Sequence, residues 1–307
     1  MHERTVALVM TGGPAEGKFA DRGLKYKALF PISGRPLVDY ILRALQASTV
    51  ERVFVLQPDD AELERVVTSH DKNVFLSYDA CERSMGRTII RGIERLLDYC
   101  GRDTLHKRNV MWLPCDIPLV RPEDLDSLVA QSRQPDLDGL ITIVPHRLLA
   151  RAYPDRRFWN VYLRDLGERF SPQSVLFVDG SRYDYAASPE YAGVRVVVTD
   201  AFGEPIPGLV AGVDGMRDGR HGMAGGSRFL FDMSLRILRQ GLAARVPQAL
   251  CEIATRRLST SRISDYFFQA VRVRFGAIIS QCTAYSADVD SPEDAAGYLK
   301  GGGFPPP

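Results

Sequence analysis

The feature that most constrains the fold is a regular alternation of short apolar segments with amphipathic segments over residues 1–146. Apolar runs of strand length lie at 5–10, 51–57, 73–78, 110–113 and 140–144. Between them, apolar side chains recur at helical spacing over 37–48, 61–70, 86–99 and 122–132. Nearly continuous apolar strands that alternate with helices are typical of a parallel sheet covered on both faces. We therefore predict an α/β core with a Rossmann-like, doubly wound and mostly parallel sheet.

The second half of the chain differs in composition and lacks the regular alternation of strands and helices. Residues 147–169 are rich in arginine and aromatic side chains, and two further strand-like runs follow at 174–178 and 194–198. Apolar periodicity then predicts helices over 229–240, 248–258 and 263–275. We expect residues 147–283 to form a helical elaboration that binds an acceptor, residues 284–300 to return to the core, and residues 301–307 to be a disordered tail.

A glycine-rich segment interrupts this second half. Eight glycines lie between Ala201 and Gly226, with little apolar periodicity. A long loop of this composition is either a flexible connection or a lid over a substrate, and the sequence leaves both interpretations open.

Charge and composition exclude several classes of protein. The 39 Lys and Arg residues nearly balance the 38 Asp and Glu residues, for a net charge of +1, which argues against coating nucleic acid or anionic lipid. Because no apolar run reaches the length of a membrane span and the N-terminus lacks a signal-peptide core, we expect a cytoplasmic protein. The five cysteines show no zinc-ligand spacing, so we predict free thiols.

A glycine turn followed by basic residues is the first candidate for binding chemistry. Gly12 and Gly13 directly follow the first strand, and the open N–H groups of such a turn suit phosphate oxygens. The spacing matches neither a dinucleotide fingerprint nor a P-loop. Four basic residues follow within the ten positions 18–27, namely Lys18, Arg22, Lys25 and Lys27. Fixed cations of this kind hold a triphosphate, although a solvated charged loop would look the same.

Carboxylates on two distant segments are the second candidate. Asp116 ends an apolar strand, which in an open parallel sheet places its side chain at the ligand-binding crevice. More than 170 residues later come Asp288 and Asp290. Mg²⁺ prefers one or two protein carboxylates together with substrate phosphates, so Asp116 and one of the later residues would form a metal site. A structural alternative is a helix that starts here, with Ser291 as its N-cap and Pro292 at its first position.

Taken in order, these motifs resemble a known family. The chain reads Gly-Gly, then Arg, then Lys-Ala-Leu-x-Pro-x-x-Gly-x-Pro-Leu, a strand that ends in Pro-x-Asp-x-Pro, and a late Asp-x-Asp-x-Pro-Glu-Asp. This order is similar to the MobA-like NTP transferase family, the nucleotidyltransferases related to molybdenum-cofactor guanylyltransferase and to the sugar-phosphate and methylerythritol-phosphate cytidylyltransferases. The similarity covers residues 5–48, 84–125 and 284–299.

The resemblance implies a fold and a reaction. The fold would be the glycosyltransferase-A-like nucleotidyltransferase fold. The reaction would be Mg²⁺-dependent transfer of a nucleoside monophosphate from a triphosphate, CTP or GTP, to a phosphorylated small-molecule acceptor, with release of pyrophosphate. Arg22, Lys27 and Asp116 would be the catalytic residues, with Arg22 and Lys27 on the phosphates. Asp290 would join Asp116 as a metal ligand, with Asp288 as the alternative.

The nucleotide-binding residues implied by the resemblance are Gly12, Gly13, Arg22, Lys27, Ser84 and Gly86. The sequence departs from the family at two of these places. The loop from Gly13 to Arg22 is about four residues longer than usual, and the segment around Ser84 and Gly86 matches neither the guanylyl nor the cytidylyl pattern. The base therefore stays open.

Two other functions and two roles for the arginine-rich segment stay open as well. A glycosyltransferase that uses a nucleotide sugar would share the fold, but it usually carries a single Asp-x-Asp motif on a mid-chain strand; a non-catalytic nucleotide-binding protein is the other alternative. The arginines at 147, 151, 156, 157 and 164 would clamp an anionic acceptor, or lie at the surface or in a homodimer interface.

Overall fold

The computed structural model describes residues 2–11, 15, 17–78, 85–134, 136–185, 196–198 and 251–300. Several predicted features lie outside these residues: Gly12, Gly13, Ser84, the glycine-rich segment 201–226, the helix predicted at 229–240, and the tail 301–307. Among the described residues, no helix combines the length and apolar character that crossing a membrane would require.

The described strands run along the chain as follows: β1 Thr5–Met10, β2 Pro31–Ile32, β3 Arg35–Pro36, β4 Arg52–Pro58, β5 Asn73–Tyr78, β6 Asn109–Pro114, β7 Gly139–Pro145, β8 Val161–Leu163, β9 Glu168–Asp179, β10 Tyr183–Tyr185, β11 Val196–Val198 and β12 Phe275–Ile279. Eight of them form one sheet in the order β12-β7-β9-β6-β1-β4-β5, with β8 paired to β9. The pairs β1–β4, β1–β6, β4–β5 and β7–β12 are parallel, whereas β9 is antiparallel to its three neighbours.

Helices cover both faces of this sheet. The helices of the described part of the chain include α1 Leu37–Ala47, α2 Ala61–Thr68, α3 Met85–Cys100, α4 Arg102–Leu105, α5 Pro122–Gln131, α6 His146–Ala152, α7 Thr260–Val271 and α8 Pro292–Lys300. Ala7 and Val9 of β1 belong to a buried cluster with apolar residues of α1, α2 and α5. Their neighbours Val6 and Leu8 belong to a second cluster with residues of α3. Successive side chains of a strand point to opposite faces, so the predicted doubly wound α/β fold is confirmed.

The second half of the chain contributes strands to this same sheet. β9 extends the strand predicted at 174–178 and lies between β6 and β7. The helix predicted over 263–275 is wrong at its end: Arg272 takes a left-handed conformation, with φ of 53°, and caps α7. Residues 275–279 then form β12, parallel to β7. A short apolar run is ambiguous by periodicity alone, because buried strands and buried helix segments share it.

A third buried cluster joins the C-terminal helix to the start of the chain. Its members come from the 3-10 helix Gly17–Arg22, from Phe30 and β2, from α1, and from α8 with the segment before it: Phe19, Phe30, Ile32, Leu37, Tyr40, Ala287, Val289, Ala295 and Tyr298. Burial of this apolar surface brings the segment before α8 against the basic loop between β1 and β2. The cluster therefore positions the residues discussed next.

Candidate functional site

The structure brings Lys27, Asp116 and Asp290 together in one ionic cluster. The Lys27 Nζ donates a hydrogen bond of 2.7 Å to Asp116 Oδ2 and another of 2.7 Å to Asp290 Oδ1. The lysine and Asp116 side chains are 18% and 19% exposed, and that of Asp290 is 33% exposed. Three residues that the sequence predicts to act together, from segments up to 263 positions apart, therefore meet at a half-buried site.

Buried neighbours fix the backbone that carries Lys27. Tyr26 and Ala28 on either side of it are buried. A short 3-10 helix, Lys27–Leu29, begins at the lysine, and Phe30 closes it by donating its N–H to the Lys27 carbonyl. With both flanking side chains in the core, the flexible lysine side chain is the part that can move.

Asp116 lies just beyond the carboxyl end of β6. The ladder with β1 continues one residue past the strand, because the Cys115 N–H donates to the Met10 carbonyl at 3.2 Å. Cys115 and Ile117 are buried, whereas Asp116 is only partly covered. The carboxylate therefore lies at the edge where parallel strands end, which is where open α/β sheets bind ligands.

Cys115, next to this site, is a buried thiol. Burial, followed by the negative charge of Asp116, raises the pKa of the Cys115 thiol to about 12. Since the thiolate is the reactive form, Cys115 is not a nucleophile at neutral pH. The other described cysteines, Cys100, Cys251 and Cys282, are also free, as predicted.

The segment before α8 carries two carboxylates. Ala287 and Val289 are fully buried, and the Val289 N–H donates to the Asp116 carbonyl at 2.9 Å. Asp288 and Asp290, on either side of Val289, are only partly buried, and their ion-pair partners differ. Asp290 pairs with Lys27, whereas Asp288 pairs with Arg156 at 3.1 Å.

The charges of this site are strongly coupled. Burial would lower the pKa of the Lys27 ammonium, but the charges and hydrogen bonds of Asp116 and Asp290 outweigh burial and raise that pKa above its usual value. Burial, followed by the charges of Asp290 and Asp116, raises the pKa of the Asp288 carboxyl, and Arg156 opposes this shift. Lys27 is therefore a permanent cation, and the three carboxylates repel one another.

The helix cap predicted at Ser291 is also present. Ser291 Oγ accepts a hydrogen bond from the Asp294 N–H at 3.2 Å and donates one to Asp294 Oδ2 at 2.9 Å. The same carboxylate accepts the N–H of Asp290 at 3.1 Å. The reciprocal contact resembles a capping box, and it uses the backbone of Asp290, whose side chain contacts Lys27.

The donor set of this site suits a divalent cation completed by phosphate. Among the described residues, no group of three or more His, Cys, Asp or Glu side chains is arranged to enclose a metal ion. Asp116 Oδ1, however, is buried and lacks a hydrogen-bond partner within the described part of the chain. A buried carboxylate oxygen without a donor is costly. Since Mg²⁺ takes only one or two carboxylates beside phosphate and water, Asp116 and Asp290 fit it.

The other basic residues of the first loop do not converge on this cluster. Lys18 pairs with Glu293 at 2.9 Å, and Lys25 pairs with Asp60, the N-cap of α2, at 2.9 Å. The exposed Arg22 guanidinium lies over the Phe30 ring, 5.6 Å from its centroid. Gly86 lies in the first turn of α3.

Arg156 and Tyr298 are parts of the site that the sequence did not assign to it. Arg156 donates to the carbonyl of Asp288 at 3.3 Å, to its carboxylate at 3.1 Å and to the Tyr298 hydroxyl. Tyr298 donates to the same Asp288 carbonyl at 3.2 Å. The sequence placed Arg156 among acceptor-binding arginines, and no pattern singled out Tyr298. Arg156 and Tyr298 are distant from each other in the sequence, so their contacts with Asp288 become apparent only in the tertiary fold.

Comparisons with known proteins agree with the predicted resemblance and fold. Residues 7–149 match the model of the MobA-like NTP transferase domain. The bifunctional protein GlmU of Alkalilimnicola ehrlichii is 29% identical over 152 residues, which are 49% of this chain and 29% of that protein. The chain therefore matches less than a third of the length of this relative.

Two solved structures share the fold over nearly the whole chain. A hypothetical transferase from Thermus thermophilus has a TM-score of 0.59 at 17% identity, with 96% of this chain and 100% of that chain covered. CMP:2-keto-3-deoxy-manno-octonic acid synthetase, solved in complex with CTP, has a TM-score of 0.51 at 14% identity, with 97% and 99% covered. Lys27 and Asp116 lie inside the matched domain, and Asp290 lies beyond it. Over residues 7–149 the chain thus resembles the MobA-like NTP transferase domain, as its motifs predict.

Proposed function

We propose that the protein is a Mg²⁺-dependent nucleotidyltransferase that transfers a nucleoside monophosphate from a nucleoside triphosphate to a phosphorylated small-molecule acceptor. The observation that carries this proposal is the contact of Lys27 with both Asp116 and Asp290 at the carboxyl end of β6. CTP and GTP are the nucleotides we expect. The CTP bound to the similar synthetase structure supports the first of these.

The proposed reaction needs charge and position more than a nucleophilic side chain. An oxygen of the acceptor phosphate attacks the α-phosphorus, a new P–O bond forms, and the bond to the bridging oxygen breaks to release pyrophosphate. In such a transfer the protein mainly orients the reactants and neutralises developing negative charge. This chemistry requires no cysteine or histidine nucleophile, and the Cys115 thiol beside the site is buried.

Each residue of the cluster has a role in this scheme. Asp116 and Asp290 would hold the Mg²⁺, which when bound supplies positive charge to the phosphates. Lys27 supplies a second, permanent positive charge to the triphosphate. Arg22, exposed on the neighbouring 3-10 helix, would contact phosphate from the solvent side. Asp288 is bound to Arg156 and supports Asp290 rather than replacing it.

The remaining parts of the nucleotide site are proposals from the sequence. Gly12 and Gly13 would cradle the phosphates, and the segment with Ser84 and Gly86 would contact the base. For the acceptor we propose arginines of residues 147–164. Arg156 is already committed to Asp288, and Arg147 pairs with Glu168 at 2.8 Å. Arg151, Arg157 and Arg164 are the other exposed members of this set.

The test is a pyrophosphate-release assay with each of the four triphosphates, Mg²⁺ and a panel of phosphorylated metabolites. We expect release with one triphosphate and one acceptor class, and a loss of at least about 100-fold in Lys27→Met. Lys25→Met is the matched control, because Lys25 pairs with Asp60 instead of the cluster. Consumption of nucleotide sugars without pyrophosphate release would show a glycosyltransferase, and binding without turnover would show a non-catalytic protein.

A further inference from the structure

Lys27 lies between the two carboxylates that the proposed function assigns to a divalent cation. Its Nζ is 2.7 Å from an oxygen of Asp116 and 2.7 Å from an oxygen of Asp290. A lysine ammonium at that distance from both carboxylates partly neutralises them, and a metal ion bound by the same oxygens would face a positive charge at close range. The Lys27 ammonium and the metal ion of the metal–triphosphate complex therefore compete for the carboxylates of Asp116 and Asp290.

We propose that Lys27 occupies the metal position in the free protein and leaves it when the metal and triphosphate arrive together. This inference rests on the proposed function for the metal site and for the triphosphate, which receives the displaced ammonium. Free metal alone binds poorly, because displacing Lys27 without a phosphate leaves the ammonium without an anionic partner. The lysine thereby couples metal binding to nucleotide binding.

The balance of charge around the cluster supports this exchange. Lys27 is a shared cation of Asp116 and Asp290, whereas Asp288 pairs with Arg156. If Lys27 departs, Asp116 and Asp290 both lose this contact at a half-buried site. Loss of a neutralising charge there is unfavourable, so a replacement cation favours the departure of Lys27.

The local structure lets the lysine side chain move without the backbone. Buried Tyr26 and Ala28 anchor the chain on both sides of it, and the Val289 N–H holds the later segment to Asp116 through main-chain atoms. The carboxylates therefore keep their positions after Lys27 leaves. Asp116 Oδ1, which lacks a hydrogen-bond partner within the described residues, adds an acceptor that the ammonium does not use.

The opposing interpretation is a permanent structural ion pair. Breaking a half-buried pair by removing the lysine would then destabilise the fold, and the carboxylates would have no preference for a metal ion over solvent. The two interpretations differ in one measurable quantity, which is the affinity of the nucleotide-free protein for a divalent cation.

The experiment measures binding of Mn²⁺, as a probe for Mg²⁺, by electron paramagnetic resonance with the full chain and without nucleotide or acceptor. We expect Lys27→Met to bind Mn²⁺ at least tenfold more tightly than the wild type. The double variant Lys27→Met with Asp116→Asn should lose this gain, and Lys25→Met should match the wild type. A non-hydrolysable triphosphate should tighten Mn²⁺ binding more in the wild type than in Lys27→Met.

Affinity in Lys27→Met no higher than in the wild type would overturn the inference. Circular dichroism establishes that each variant is folded, and Lys27→Gln, which is neutral but polar, replaces Lys27→Met if the methionine variant does not fold. Because the binding assay contains no substrate, its outcome is independent of turnover. Tighter Mn²⁺ binding by Lys27→Met, with no pyrophosphate release by the wild type, would retain this inference and reject the proposed reaction. Pyrophosphate release by the wild type, without tighter Mn²⁺ binding by Lys27→Met, would support the proposed reaction and reject this inference.

Discussion

The backbone N–H of Val289 donates a hydrogen bond to the backbone carbonyl of Asp116 at 2.9 Å. This contact joins the end of β6 to the segment before α8 through main-chain atoms, next to the two carboxylates that contact Lys27. Val289 is also fully buried in the cluster beneath. The position of each carboxylate is thus set by backbone and core contacts, so changes to the carboxylates themselves should alter chemistry more than folding.

Asp116→Asn tests this separation most directly. The substitution keeps the size of the side chain but removes its charge, and with it one ligand for the metal and one partner of Lys27. We expect pyrophosphate release to fall at least about 100-fold, with a thermal midpoint close to that of the wild type. If the variant retained near wild-type turnover, Asp116 would be a turn residue and the metal site would lie elsewhere.

Asp290→Asn and Asp288→Asn should have different effects on the Mg²⁺ requirement. Asp290 contacts Lys27 with its side chain, whereas Asp288 is held by Arg156. We expect Asp290→Asn to raise the Mg²⁺ concentration at half-maximal activity sharply, and Asp288→Asn, which acts only through the position of Asp290, to raise that concentration less. The measurement is a Mg²⁺ titration of both single variants, and a defect confined to Asp288→Asn would reverse the assignment.

Local signals in the sequence drew attention to the segments of Lys27, Asp116 and Asp290, and the family resemblance selected Lys27 and Asp290 within their segments. Asp116 follows an apolar strand, Asp290 precedes a helix cap, and Lys27 precedes a turn. The pair of Asp288 and Arg156 had no such signal, since its members are 132 positions apart and meet only through the packing of α8.

In the sheet, too, the sequence predicts individual strands better than it predicts which strands lie side by side. The parallel strands β1, β4, β5 and β6 follow from apolar runs that alternate with helices. The position of β9 between β6 and β7, antiparallel to both, does not follow from its own pattern, because alternation of side chains specifies a strand but not its neighbours. β12 was missed for a related reason, since its five residues are too few to show a period.

The N-cap of α8 can be tested by its effect on stability, independently of catalysis. Ser291→Ala removes the hydroxyl that accepts the Asp294 N–H, so we expect the free energy of unfolding to fall by roughly 0.5 to 2 kcal/mol. Gly297→Ala in the same helix is the control in the other direction: a Cβ there meets no atom within 4 Å, and alanine is favoured over glycine in a helix by about 1 kcal/mol. Chemical denaturation measures both. Equal destabilisation by the two variants would contradict the assigned cap.

A double-mutant cycle of Arg156→Met and Asp288→Asn tests the ion pair next to Asp290. Arg156 is 23% exposed and Asp288 is 19% exposed, so Arg156→Met alone leaves a mostly buried carboxylate without its cation. We expect that single change to cost about 3 kcal/mol of stability, and Asp288→Asn to cost less because it removes the charge that needs compensation.

The informative quantity is the coupling between the two changes. If Arg156 acts through Asp288, the double variant should be more stable than the sum of the single effects predicts, by roughly 1 kcal/mol or more. Arg156→Lys retains a charge but not the planar group that contacts both the carbonyl and carboxylate of Asp288, so it should restore stability in part while the Mg²⁺ midpoint stays raised. Additive single effects, together with an unchanged Mg²⁺ midpoint in Arg156→Met, would show that Arg156 neither supports Asp288 nor positions Asp290.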